Sequence, residues 1–271
     1  MTLTPPMPYS GGKQKIAAAL AAMMPPHNGY VEPFAGALSV LLAKRPATIE
    51  VVNDIDERII AFWRVLRDRP ADLERVCALT PHSRAELITA RDNLDHDDEL
   101  ERARCVWVAL SQSRGSNLNR SGFRFVHGTN RKALAAYLTG YLGRIAPAAE
   151  RLRGVTLECR PASEVIEAYQ RPGTLIYADP PYLADVRYGP QYTHEMATTD
   201  EHEHLLDQLD ASPSLVMVSG YASDLYDTRL AHWHRTELQG LAMTGEPRTE
   251  VVWTNFEPVD AHPVLDFEGA S

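Results

Sequence analysis

The residues best equipped for chemistry stand together at Asp179-Pro180-Pro181-Tyr182, directly after the apolar run from Leu175 to Ala178. Neither proline can donate a ladder hydrogen bond, so the pair ends the strand and stiffens the backbone that carries the acid. A rigid carboxylate beside a main-chain carbonyl, here Asp179 and Pro180, can accept both hydrogens of an amino group. An exocyclic amine such as that of adenine is a poor nucleophile because its lone pair is delocalised into the ring. Gripping both hydrogens pulls the nitrogen toward tetrahedral geometry and frees the lone pair to attack an electrophilic methyl. Tyr182 adds an aromatic face on which an extruded base can stack. The plainer reading, a proline-stiffened turn with an N-capping Asp, accounts for Asp-Pro alone better than for the whole tetrapeptide after a strand.

Three further motifs stand near strand ends or the N-terminus. Val31-Glu-Pro-Phe-Ala-Gly36 follows the first predicted strand, and Asp54 follows the second. In sheets that bind nucleotides, a glycine lets the backbone approach the ligand and an acid about twenty residues further on binds ribose hydroxyls. The full GxGxxG pattern is missing, which disfavours a nicotinamide-dependent oxidoreductase and leaves a helix cap plus a surface turn as the simpler account. Tyr9-Ser-Gly-Gly-Lys13 is not a phosphate-binding P-loop, because Met7 stands where its first glycine is required and Gln14 where Ser or Thr is required. Ser219-Gly220-Tyr221, after another apolar run, is either a wall of a base pocket or a simple turn.

The net charge of −9 opposes a polyanionic partner as a whole, but the charge is unevenly spread. From Arg102 through Ala149 there are basic residues and not one Asp or Glu. Such a stretch makes a local positive surface for DNA, or a face balanced by acids from elsewhere in the fold. Within it, Arg114, Asn117, Asn119, Arg120 and Arg124 suit phosphates or the Hoogsteen edges of guanine and adenine. The three cysteines, Cys77, Cys105 and Cys159, are too dispersed for a disulfide framework or a zinc set, and no metal is expected. With no apolar run of about 18 residues and no signal-like N-terminus, a cytoplasmic chain without a membrane partner is expected.

These residues need elements to hold them. Strands are predicted at 30–34, 48–53, 155–159, 174–178 and 215–219, with helices at 38–45, 56–68, 162–169 and 200–209 between them. Segments 72–79, 84–94, 100–111 and 132–145 read as helices without strands, and 233–238 with 249–255 as an antiparallel hairpin. The alternation implies an α/β fold with a mostly parallel, twisted sheet covered on both faces, an antiparallel terminal strand, and an inserted helical block. Ligands in such folds bind beyond the carboxyl ends of the strands, close to where the motifs fall.

In this order the motifs resemble the Dam-like family of DNA adenine-N6 methyltransferases, over most of the chain. The resemblance implies a Rossmann-like methyltransferase fold that uses S-adenosylmethionine and acts on a flipped-out adenine in double-stranded DNA. It implies Tyr9, Lys13, Pro33, Phe34, Gly36 and Asp54 as cofactor contacts, Asp179 facing both ligands, and Asp179, Pro180, Pro181 and Tyr182 as the catalytic turn. It also implies a catalytic core of residues 1–62 and 147–271 around a helical target-recognition insertion, 63–146, whose loop Ser113 to Phe125 enters DNA. Tyr9 replaces the tryptophan frequent in that family, and the loop departs from the familiar wording, so a GATC target does not follow. A restriction-modification setting and a monomer or weak dimer fit this reading. N4-cytosine or RNA adenine methylation, and a non-catalytic DNA-binding protein on the same fold, are the alternatives. A cytosine ring-carbon methylase is disfavoured, since it would use a nucleophilic cysteine, usually after proline, and none of the three follows one.

Overall fold

Runs of β-branched and aromatic residues flanked by turn formers build the strands, which a computed structural model of the chain arranges in one seven-stranded sheet. It describes residues 2–118, 121–125, 131–183, 196, 198–241 and 247–259, without the side chains of 131–133, 240–241 and 247–248. Five strands are mutually parallel: β1 (Gly29–Glu32), β2 (Ile49–Asn53), β3 (Val155–Glu158), β4 (Thr174–Ala178) and β5 (Leu215–Gly220). β7 (Pro247–Thr254) runs antiparallel to β5 and is closed at the sheet edge by β6 (His234–Leu241). The order is β3-β2-β1-β4-β5-β7-β6. The chain therefore departs from β1 toward one side and from β4 toward the other, which opens a crevice at their neighbouring carboxyl ends.

Successive strand residues point to opposite faces, and two apolar clusters result. Tyr30, Val52, Leu175, Tyr177, Met217 and Val252 join the larger one. It is completed by α1 (Ala17–Met23), α2 (Ser39–Ala43), α3 (Glu57–Asp68) and the helical block α4 (Pro70–Leu79), α5 (Arg84–Asp92), α6 (Glu99–Ser111), α7 (Arg131–Leu142) and α8 (Ile145–Leu152). Val31, Val51, Ile176, Val218 and Trp253 face the other way, against α9 (Ala162–Tyr169), α10 (Thr199–Asp210) and α11 (Asp224–Arg229). α3 continues across residue 62 and joins sheet to helical block: Ile59, Phe62, Trp63 and Leu66 are wholly buried, each aliphatic or phenyl group contributing about 1.5–3 kcal/mol. Asp56 starts this helix by accepting the Arg58 N–H at 3.1 Å.

The predicted helix at 132–145 corresponds to α7, which ends at Leu142; α8, which follows it, was not predicted. Pro147 sits in the first turn of α8, where a missing N–H costs nothing. α1 and α11 had no counterpart in the sequence reading. α1 lacks a side-chain cap, and α11 has only six residues, started by Ser223 accepting from the Tyr226 N–H. Among the described residues no helix is long and apolar enough to cross a membrane.

Candidate active site

The turn after β1 takes its shape from Gly36, whose φ is +44°. A Cβ there would stand 3.0 Å from Tyr9 Cε1, so the tyrosine ring lies flush against bare backbone. Gly36 is tied at both ends: its N–H donates to Asp54 Oδ2 at 2.9 Å, and its carbonyl accepts from Trp63 Nε1 at 2.9 Å. Asp54 Oδ1 accepts the Asp56 N–H at 3.0 Å, so the carboxylate is held in place at the mouth of the turn. Asn53, fully buried, joins three strand ends through Nδ2 to the carbonyls of Pro33 and Arg160 and through Oδ1 to the Arg160 N–H.

Beside this turn is a cavity of about 380 Å³, within the roughly 300–1,000 Å³ usual for small-molecule sites. Tyr9, Lys13, Pro33, Phe34, Gly36 and Asp54 all line it, as do Asp179 and Pro181 from the tip of β4. Pro180 and Tyr182 stand outside the lining, in the same turn. The half-exposed Ile55 gives the cavity an apolar wall, and Glu32 reaches it from the end of β1.

Asp179 is the centre of a buried polar chain. Lys13 Nζ donates to both of its oxygens at 2.7 Å, and Ser219 Oγ donates to Oδ1 at 3.0 Å. Because the serine hydrogen is committed to Asp179, the Tyr177 hydroxyl, 2.8 Å away, donates to Ser219. Burial carries the Tyr177 phenol well above its ordinary value, so it stays a donor. Tyr182 is buried, with its hydroxyl donating to Glu250 Oε1 at 2.6 Å and its ring centre 4.4 Å from that of Tyr221. Lys13 also approaches Glu250 at 3.5 Å and the Tyr182 ring centre at 5.0 Å.

Two more buried carboxyls belong to this region. Burial pushes Glu32 up to about 8, against the lowering effect of the hydrogen bond from Tyr30, so at neutral pH it holds a proton. Burial also raises Glu250, opposed by Lys13. Sequence reasoning gave no role to Glu32, Asn53, Ile55 or Glu250. The available signals were a lone acid entering the buried run Val251 to Trp253, and a buried-type strand ending in Asn53.

The basic loop begins at the end of α6. Ser113 bridges Phe123, Arg114 N–H donates to Gly122 O at 2.8 Å, and Arg124 N–H donates to Gln112 O at 2.7 Å, which close its base. Arg114 is exposed. Arg124 is half-buried, donates to Ser116 Oγ at 3.1 Å and lies 4.9 Å from the Tyr137 ring centre. Asn117 Oδ1 is buried without a hydrogen-bond partner among the described residues. Asn119 and Arg120 lie outside the described residues. The structure joins this loop to the Tyr9 to Lys13 turn through the Ser10 N–H, which donates to Ser116 O at 2.8 Å. Part of the basic stretch is balanced from elsewhere: Arg102 pairs with Glu57, and Arg104 with Glu86 and Glu101.

Residues 9–239 match the D12 class N6 adenine-specific DNA methyltransferase family. The chain is also similar to the Type II methyltransferase M1.LlaDCHI of Lactococcus lactis subsp. cremoris. The two are 25% identical over 285 residues, covering 94% of this chain and 96% of that protein. The family match takes in the Tyr9 to Lys13 turn, the Gly36 cradle with Asp54, the basic loop and the tetrapeptide at 179–182. The chain belongs to the D12 class of N6 adenine-specific DNA methyltransferases.

Proposed function

We propose that this DNA adenine methyltransferase uses Asp179 and the Pro180 carbonyl to grip the N6 amine of an adenine extruded from duplex DNA, next to S-adenosylmethionine held in the crevice between β1 and β4. The observation that carries the reading is the position of Asp179. Its carboxylate lines the same cavity as the Gly36 turn and Asp54, at the point where the strand order reverses.

The residues present fit the cofactor. The Gly36 cradle, which a Cβ would fill, and the ribose-type acid Asp54 face a cavity with an apolar wall at Ile55. Tyr9, Lys13, Pro33, Phe34, Gly36 and Asp54 would hold it. When bound, S-adenosylmethionine supplies an electrophilic methyl on a sulfonium. Asp179 Oδ2, which carries no hydrogen bond from Ser219, is placed to accept an amine hydrogen, while Oδ1 is oriented by Ser219, itself held by Tyr177. Transfer forms the nitrogen–methyl bond, breaks the methyl–sulfur bond and releases one amine hydrogen as a proton, for which Asp179 is the adjacent acceptor. Fixed donors and acceptors need little reorganisation during the reaction, and that preorganisation is the enzyme's contribution.

On the DNA side, Arg114, Asn117 and Arg124, with Asn119 and Arg120, form the recognition loop of the helical insertion at residues 63–146. Likeness to a Type II methyltransferase supports a restriction-modification setting. A monomer or weak dimer in the cytoplasm belongs to the same reading. The test is nucleoside mass analysis after incubation with unmethylated duplex DNA, or with RNA, and isotope-labelled cofactor. Label is expected in N6-methyladenine from DNA; label in N4-methylcytosine, or in RNA alone, would refute the assignment.

A further inference from the structure

Lys13 competes for the acceptor that the substrate needs. Its ammonium spends its hydrogens on both oxygens of Asp179, at 2.7 Å each, and on the Gly11 carbonyl at 3.0 Å. Oδ1 already accepts from both Lys13 and Ser219, so an adenine amine must take Oδ2, where it competes with Lys13. The Lys13 side chain is only 6% exposed and Asp179 18%, so a displaced N–H has little water to turn to. Leaving a buried ammonium hydrogen without an acceptor is among the costlier defects a site can carry.

Among the described residues the nearest further carboxylate is Glu250, whose Oε1 stands 3.5 Å from the same ammonium. At that distance the pair is a weak one that a small side-chain shift would shorten. Glu250 is carried on β7, next to the Gly220–Val251 pair that ends the ladder with β5 and opposite Leu238 of β6, so it is anchored to the sheet rather than to the loop that follows the tetrapeptide. The same oxygen accepts the Tyr182 hydroxyl at 2.6 Å. It lies outside the span that matches the family. Burial raises its protonation tendency, and Lys13 opposes that.

We propose that Glu250 is a positioning residue that receives Lys13 when the adenine amine claims Asp179, while holding the Tyr182 ring in place against the base. The proposal rests on Asp179 gripping the amine. Two carboxylates thus share one ammonium, and substrate entry moves it from the first toward the second.

Glu250→Gln keeps an oxygen for the Tyr182 hydroxyl but removes the charge for Lys13. Three quantities are read: binding of S-adenosylhomocysteine by calorimetry, binding of unmethylated duplex by anisotropy, and single-turnover methyl transfer with cofactor and plasmid DNA saturating. The expected result is a transfer rate about 10-fold or more lower, with both affinities within about 3-fold of wild type. In a Lys13→Gln background the second change should cost less than about 3-fold, since the ammonium to be received is gone. Glu250→Asp, which keeps the charge on a shorter arm, should be faster than Glu250→Gln even if both melt earlier than wild type. A wild-type rate in Glu250→Gln, an equal loss in both backgrounds, or Gln as fast as Asp would overturn the proposal. Asp179→Asn separates the layers: if it transfers normally the amine grip itself is wrong, and if it is inactive while Glu250→Gln is normal only the handover is wrong.

Discussion

Replacing Gly36 by Ala tests the cofactor cradle at its tightest point. At φ +44° an L-residue pays about 1–2 kcal/mol for the left-handed conformation. The new methyl would also stand 3.0 Å from Cε1 and 3.2 Å from Cδ1 of Tyr9, so the ring must retreat by several tenths of an ångström. The backbone cannot turn to avoid it, because the Gly36 N–H is bonded to Asp54 and its carbonyl to Trp63. The combined loss is about 2 kcal/mol, which lowers the melting temperature of a chain this size by about 4–8 °C. Moving Tyr9 and loosening Asp54 also disturbs two proposed cofactor contacts, so S-adenosylhomocysteine should bind at least about 10-fold more weakly, a change of about 1.4 kcal/mol. Scanning calorimetry and titration calorimetry read the two effects separately. An alanine variant with wild-type melting and wild-type affinity would refute the cradle, and weaker folding with intact affinity would refute its link to the cofactor.

Other consequences follow from the same geometry. Gly140, inside α7, has open space around its missing Cβ, so Gly140→Ala should stabilise by about 0.5–1 kcal/mol in urea unfolding; a loss would contradict the exposed placement. Glu32 is raised to about 8 in the fold, against 4.5 when unfolded, so the native state holds a proton that the unfolded chain has lost between those values. Its stabilising share is complete below about 4.5 and is withdrawn as pH climbs to about 8, at up to about 1.4 kcal/mol per pH unit. Glu32→Gln, which mimics the protonated acid, should therefore gain on wild type in unfolding free energy at pH 8 relative to pH 5.5, and an unchanged gap would sink this account. Ser219→Ala removes one charge-assisted donor from Asp179, so single-turnover transfer should fall about 10-fold with DNA affinity kept; an unaltered rate would show that Oδ1 needs no such support.

Much of the sheet was legible because its strands are short β-branched runs bounded by turn formers, and the stiff turn at Asp179 announced itself through two adjacent prolines. Local periodicity carries no information about partners far along the chain. Lys13 and Asp179 are 166 residues apart, and reading each within its own motif did not show that they form an ion pair. Glu250 was passed over for the same reason: on a terminal strand a lone acid reads as a solvent-facing residue until the partner strand and Tyr182 are in place. The acid-free stretch from Arg102 overstated its positive surface, since Glu57, from α3, and Glu86, from α5, reach back to Arg102 and Arg104. α8 was missed because Pro147 reads as a breaker unless its first-turn position is known. Where tertiary contact decides the outcome, as at these residues, sequence pattern alone stops short.

The central claim is that the carboxylate of Asp179 activates the adenine amine. Its most direct test is single-turnover methylation by Asp179→Asn, run beside cofactor and DNA binding on the same preparation. The account predicts a rate lower by at least about 1,000-fold with both affinities within a few-fold of wild type, because an amide supplies only one weaker, uncharged acceptor. Formation of N6-methyladenine at a rate near that of the wild-type enzyme would contradict it.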